Sequence, residues 1–164
     1  MNTHSITLIV RHPRENPKKC SVLPIKGRGD VQFLSYPVKD LPPLAGYVRL
    51  ATEGPELSSA DRECGILLLD GSWRSAARMH ADFSAVPPRS LFGWKSAYPR
   101  VSKRGTDPHN GLASIEALFI AYHLLGRSTD GLLDHYRWAK SFLEMNGLEL
   151  PGDPSQIDVA SARN

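Results

Sequence analysis

The chain has 164 residues, 41% of them hydrophobic and 23% charged, with a formal net charge of +3. That length and composition fit one soluble domain able to bury a core without disulfides or metals. No stretch is apolar enough over a sufficient length to span a membrane, and Met1-Asn2-Thr3-His4-Ser5-Ile6 does not open a signal peptide, so a cytoplasmic protein is expected. The mild positive charge favours a polyanionic partner without demanding one.

The elements follow in chain order. Ser5 to Val10 is rich in β-branched residues and reads as a first strand, ended by the proline-punctuated loop His12-Pro13-Arg14-Glu15-Asn16-Pro17. Val31 to Leu34 is a short strand, and Gly46 to Leu50 a further candidate. Gly65 to Leu69 is a continuous apolar run, the pattern of a parallel strand covered on both faces. Asp70-Gly71-Ser72 breaks it, and Trp73, Ala76, Ala77 and His80 continue at helical spacing behind a Ser72 cap. Pro87-Pro88 opens an irregular stretch to Gly111. Ser114 to Leu125 is a helix apolar almost all round, hence buried, and closed by Gly126. Thr129 or Asp130 caps a last helix running to about Met145. One α/β domain over 1–150 and a mobile tail over 151–164 are the expected organisation.

Three constellations could carry chemistry. Asp70-Gly71-Ser72-Trp73 lies where a strand ends and a helix begins. Ligands of open α/β sheets sit there, and free backbone N–H groups welcome a carboxylate. Asp70 could hold an ammonium group or accept a proton. It could equally cap the helix, with Trp73 in the core. Glu116 is the only charged residue between Ser114 and Leu125, and a buried carboxylate needs partners. With Ser114 as N-cap it falls one position short of a capping box. Finally, Arg11, Arg14, Lys18, Lys19, Lys26 and Arg28 form one basic stretch. Arg89, Lys95, Arg100, Lys103 and Arg104 form another, interleaved with Phe92, Trp94 and Tyr98. Cations with aromatics suit a nucleic-acid surface, though solvated loops with inward-packed rings have the same composition. The histidines lack ligand spacing and Cys20 and Cys64 read as free thiols, so no metal is expected.

Taken together these stretches resemble a known superfamily. Asp70-Gly71-Ser72-Trp73 resembles the D-x-[TS]-W signature of the DTW-domain family, His12-Pro13-Arg14-Glu15 its H-P-R-E segment, and Gly111 to Ala117 its G-L-S-T-x-E-A segment. Lys18-Lys19-Cys20-Ser21, and Arg89-Ser90-Leu91 through Ala97-Tyr98-Pro99, resemble segments of the sister rRNA aminocarboxypropyltransferases. The resemblance implies a SPOUT-like α/β fold, a parallel sheet flanked by helices with a C-terminal trefoil knot. It also implies S-adenosylmethionine as the donor of an aminocarboxypropyl group to a uridine of tRNA or a pseudouridine of rRNA. Carried over, Asp70, Ser72 and Trp73 would meet the donor's methionine part. Leu91 to Trp94 and Leu112 to Ser114 would supply backbone contacts to adenosine, and Glu116 would brace the site. His12, Arg14, Lys18, Lys19, Arg100, Lys103 and Arg104 would face RNA. Gly71 and Ala113 vary within the signatures, Ser102-Lys103 stands where the rRNA family has Tyr-Gly, and the cysteine cluster of many DTW proteins is missing. The acceptor therefore stays open between tRNA and rRNA. A SPOUT-type methyltransferase and a non-catalytic RNA-binding module are the rival readings, and the chain is compatible with a monomer.

Overall fold

A computed structural model of the chain describes residues 5–99 and 111–149, without the side chain of Trp73. Five strands form one sheet: β1 (Thr7–Arg11), β2 (Val31–Ser35), β3 (Tyr47–Glu56), β4 (Gly65–Asp70) and β5 (Pro88–Ser90). Their order is β2-β1-β4-β3-β5, and every pairing is parallel. Helices α1 (Trp73–Asp82), α2 (Ser114–Leu124) and α3 (Ala139–Met145) complete the fold. No helix among the described residues is long and apolar enough to cross a membrane.

The apolar run of β4 is buried at all six positions, as a central parallel strand requires. Its period-two alternation splits the core. Ile66 and Leu68 join Ile9, Val48 and Leu50 against Leu118, Ala121 and Tyr122 of α2 and Phe142 of α3. Leu67 and Leu69 join Leu8 and Val10 on the other face, against Met79, Phe83 and Val86 of the α1 region. Helix α2 is buried from Ile115 to Tyr122, which explains why it shows no polar face. Each such large apolar side chain contributes about 1.5–3 kcal/mol by leaving water. At the start of β4 the chain must be glycine, because a Cβ on Gly65 would lie 2.5 Å from the Tyr47 ring.

Three expectations change. Pro88–Ser90 is a strand and not part of an irregular stretch. A proline is tolerated as the first residue of an edge strand, where no ladder N–H is needed, and the Pro87 carbonyl accepts from Arg49 N at 2.8 Å. Residues 130–138 form successive turns, and only Ala139–Met145 is helical. Gly131 takes φ +80°, which a continuing helix cannot use, and the turns bring Leu132 and Leu133 into the core. Strand β3 runs past Leu50 to Glu56, with a polar second half that arches around Ser90.

Candidate functional site

The chain leaves β1 toward β2 on one side and leaves β4 through α1 toward β5 on the other. The two connections cover opposite faces of the sheet, since Cys20, Val22 and Ile25 join the α2 core and Met79 and Phe83 the other. The carboxyl ends of β1 and β4 therefore flank the switch point of the sheet, the usual crevice for a ligand in this architecture. Arg11 and Asp70 are register partners there.

Asp70 is buried, and both carboxylate oxygens are engaged. Oδ2 accepts from Arg11 Nε at 3.2 Å and from the Cys20 thiol at 3.2 Å; Oδ1 accepts from Ser114 Oγ at 2.6 Å. Its carbonyl accepts from His12 N at 2.9 Å. One residue thus joins the end of β1, the loop behind it, the end of β4 and the start of α2. A buried carboxylate is stable only with such donors. Burial, and then the Asp70 charge, push the Cys20 thiol up from its ordinary value, so Cys20 acts as a hydrogen-bond donor and not as a thiolate. Glu15 is half-buried nearby, its carboxyl raised by burial and by Asp70, with Arg11 and Lys19 opposing. Arg11 has a 19% exposed side chain, and its Nη2 is buried without a hydrogen-bond partner among the described residues.

Glu116 is fully buried and holds a second clasp. Oε1 accepts from Ser96 Oγ at 2.6 Å and Ala113 N at 2.8 Å, and Oε2 accepts from Ala97 N at 2.8 Å. The expected cap shifts by one residue. Ala113 is the N-cap of α2 and Glu116 occupies N3, from which it reaches back to the cap N–H. Ser114 does not cap because its hydroxyl is drawn to Asp70. Ala113 has no side-chain acceptor, so Ser21 Oγ accepts from Ile115 N at 3.1 Å in its place. The first turn of α2 therefore carries both clasps, Ser114 to Asp70 and Glu116 to the segment 96–97.

Four contacts fix the segment from Leu91 to Pro99. The Trp94 ring meets the His123 ring edge-on at 6.1 Å. Lys95 N donates to Asn146 Oδ1 at 2.8 Å, and Asn146 Nδ2 donates to Lys95 O at 2.9 Å. Glu116 holds Ser96 and Ala97, and the Tyr98 ring packs against Trp138 at 5.0 Å. Leu91, Trp94 and Leu112 all rest on the α2 core. At the start of α1, Ser72 is the N-cap, its Oγ accepting from Ser75 N at 3.3 Å.

Of the expected site residues, Asp70, Ser114 and Glu116 meet at the carboxyl end of β4 and the first turn of α2, Ser72 follows β4 and Leu112 precedes that turn, while Leu91 and Trp94 rest on the α2 core, Trp94 against His123 toward the other end of the helix. The His12 ring stacks on Tyr36 at 5.7 Å, with Nδ1 accepting from Arg14 N. Arg14, Lys18 and Lys19 are exposed on the adjoining loop. The Trp73 side chain and Arg100, Lys103 and Arg104 lie outside the described residues, as does 151–164. Sequence reasoning met Arg11 as one cation of a basic stretch and Glu15, Cys20 and Ser21 inside family-like segments, but gave none of them, nor Ser96, a place around Asp70 or Glu116. Only the cross-strand register and the packing of distant loops reveal them. Among the described residues no three His, Cys, Asp or Glu side chains group as metal ligands.

No protein-family model matches the chain. No curated protein matches it either. Among solved structures it is similar to the SAM-dependent rRNA:acp-transferase Tsr3 from Vulcanisaeta distributa, at 24% identity and a TM-score of 0.67, over 87% of this chain and 79% of that one. That likeness is one of fold: an α/β domain with a parallel sheet flanked by helices.

Proposed function

We propose that this chain is an S-adenosylmethionine-dependent RNA-modifying transferase. It moves the 3-amino-3-carboxypropyl group to a ring nitrogen of a uridine in tRNA or a pseudouridine in rRNA. The observation that carries the reading is the meeting of Asp70, the first turn of α2 and the pinned segment 91–99 at the switch point of the sheet. The fold shared with an rRNA acp-transferase supports it. The DTW-like signatures, a SPOUT-like knotted C-terminal region and a cytoplasmic location belong to the same proposal and rest on the sequence resemblance.

The residues present fit such a donor. Its amino-acid end carries an ammonium and a carboxylate, and its sulfonium is a cation. Asp70 offers the negative charge, and the unsatisfied Arg11 Nη2 with the α1 N-terminus offers donors to a carboxylate. When bound, the donor supplies an electrophilic carbon next to the sulfonium. The ring nitrogen of the base, having lost its proton, forms the new C–N bond as the C–S bond breaks, and 5′-methylthioadenosine leaves. The protein's contribution is in-line positioning, which supplies up to about 7–11 kcal/mol of a barrier. Asp70 orients the ammonium or takes the base proton. Glu116 holds the loop against the helix, so that both sides of the crevice keep one geometry.

The deciding experiment offers RNA and donor labelled separately in the methyl and carboxyl positions. Carboxyl label in the RNA is expected. Methyl label alone would make the chain a methyltransferase, and no label with no donor binding by calorimetry would leave a binding module.

A further inference from the structure

The segment 91–99 is held at four points, yet one large side chain on it is held by nothing. Phe92 is 73% exposed, the most exposed of the large hydrophobic residues among those described. It leaves the carboxyl end of β5, and Gly93 turns the chain behind it at φ +89°. On one side Leu91 is anchored in the α2 core; on the other, Trp94 on His123 and Lys95 on Asn146 fix the backbone. An aromatic ring on a mobile loop loses entropy when it binds. A ring on a backbone already fixed has only two side-chain torsions left to order.

The surroundings select the partner. Among the described residues Arg89 is tied to Asp61 Oδ1 at 3.1 Å, whereas Lys95, three residues beyond Phe92, is exposed, and no acidic residue occurs from Pro87 to Pro99. Further along the segment the Arg137 guanidinium lies 5.7 Å from the centre of the Trp138 ring, which packs on Tyr98. An exposed aromatic ring with a free cation close by in the chain fits an unstacked base and its phosphate better than an apolar protein surface.

Resting on the transferase reading above, we propose that Phe92 is a stacking residue for the acceptor. Its ring takes the face of an unpaired RNA base and so delivers the strand to the crevice. The backbone around it belongs to the donor side, so a single short segment would register donor against acceptor. Phe92 contacts RNA through its ring face and holds no phosphate.

The test measures binding of full-length protein to a labelled single-stranded oligouridylate over a range of salt. Phe92→Ala is expected to weaken binding about tenfold, within the range for one stacked base, and to leave the salt slope unchanged. Phe92→Trp restores affinity and Phe92→Leu does not. Lys95→Ala, by contrast, lowers the salt slope. Wild-type RNA affinity in Phe92→Ala overturns the proposal, as does rescue by leucine. A wild-type dimer that Phe92→Ala dissociates, with RNA binding unchanged, also overturns it and makes the patch a contact between copies. Failure of the carboxyl-label experiment in the wild type strikes the transferase reading instead, and the oligouridylate series still judges Phe92.

Discussion

The two ends of α2 bury polar groups in opposite ways. At its N-terminus two carboxylates, Asp70 and Glu116, accept from loops and from the helix itself. At its C-terminus two guanidinia close the fold by donating to carbonyls. Arg127 reaches Arg62 O and Cys64 O, and Arg28 reaches Ser128 O and Asp130 O. Both guanidinia lie about 6 Å from the centre of the Tyr122 ring, whose hydroxyl pairs with Thr7 Oγ1 at 2.7 Å. Anions at the positive end and cations at the negative end both suit the helix dipole. The difference lies in what is tied. The acidic end holds three segments that reach the crevice, whereas the basic end fastens turns to the amino ends of the strands.

If that division is real, breaking the acidic end should remove function and stability together. Glu116→Ala orphans three half-buried donors and empties a fully buried site, and should cost about 3 kcal/mol in urea unfolding, together with transfer activity. A stable, active variant would show that the clasp is dispensable. Asp70→Asn keeps the shape of the side chain but turns an amide N–H2 toward donors and leaves Arg11 without its counter-charge, so it should cost about 3 kcal/mol of stability while transfer falls about a hundredfold. Near-normal transfer would move the ammonium or base role elsewhere. At the basic end, Tyr122→Phe leaves the Thr7 hydroxyl without its partner and should lower stability by about 1 kcal/mol, with transfer unchanged. Lost transfer there would erase the contrast between the ends.

The smallest effect belongs to neither end. On the α1 face, Arg49 Nη1 donates to His80 Nδ1 at 2.5 Å, because a guanidinium can only donate. Burial, and then Arg49, hold the His80 imidazole below its ordinary value of 6.5, with Glu53 opposing. The unfolded chain therefore binds more protons than the folded one just below pH 6.5, so stability should fall as the pH drops through that window. His80→Gln should flatten this dependence. An unchanged thermal-unfolding profile between pH 7 and pH 5 would count against it.

Much of this was legible in the sequence because it depends on local pattern. The β4 run, its break at Asp70 and the Ser72 cap follow from apolar continuity and turn chemistry, and the buried α2 from its lack of a polar face. Strand β5 was hidden because three residues beginning with proline carry no period. The start of α2 at Ser114 was legible, but its cap at Ala113 was not, because the Ser114 hydroxyl goes to a partner 44 residues away. Arg11 was only one cation in a basic stretch until the β1–β4 register set it beside Asp70. Glu116 was identifiable as a buried acid in need of partners, but nothing in its neighbourhood named Ser96 or Ala97.

The hydroxyl that Ser21 lends to Ile115 spans 94 residues of chain. Helix α2 has no local acceptor for that N–H, so a peptide of α2 alone should fray where the whole protein is ordered. During synthesis the crevice cannot be completed until the chain has emerged well past residue 115. Up to that point the nascent polypeptide carries its acids without the arrangement that gives them a use.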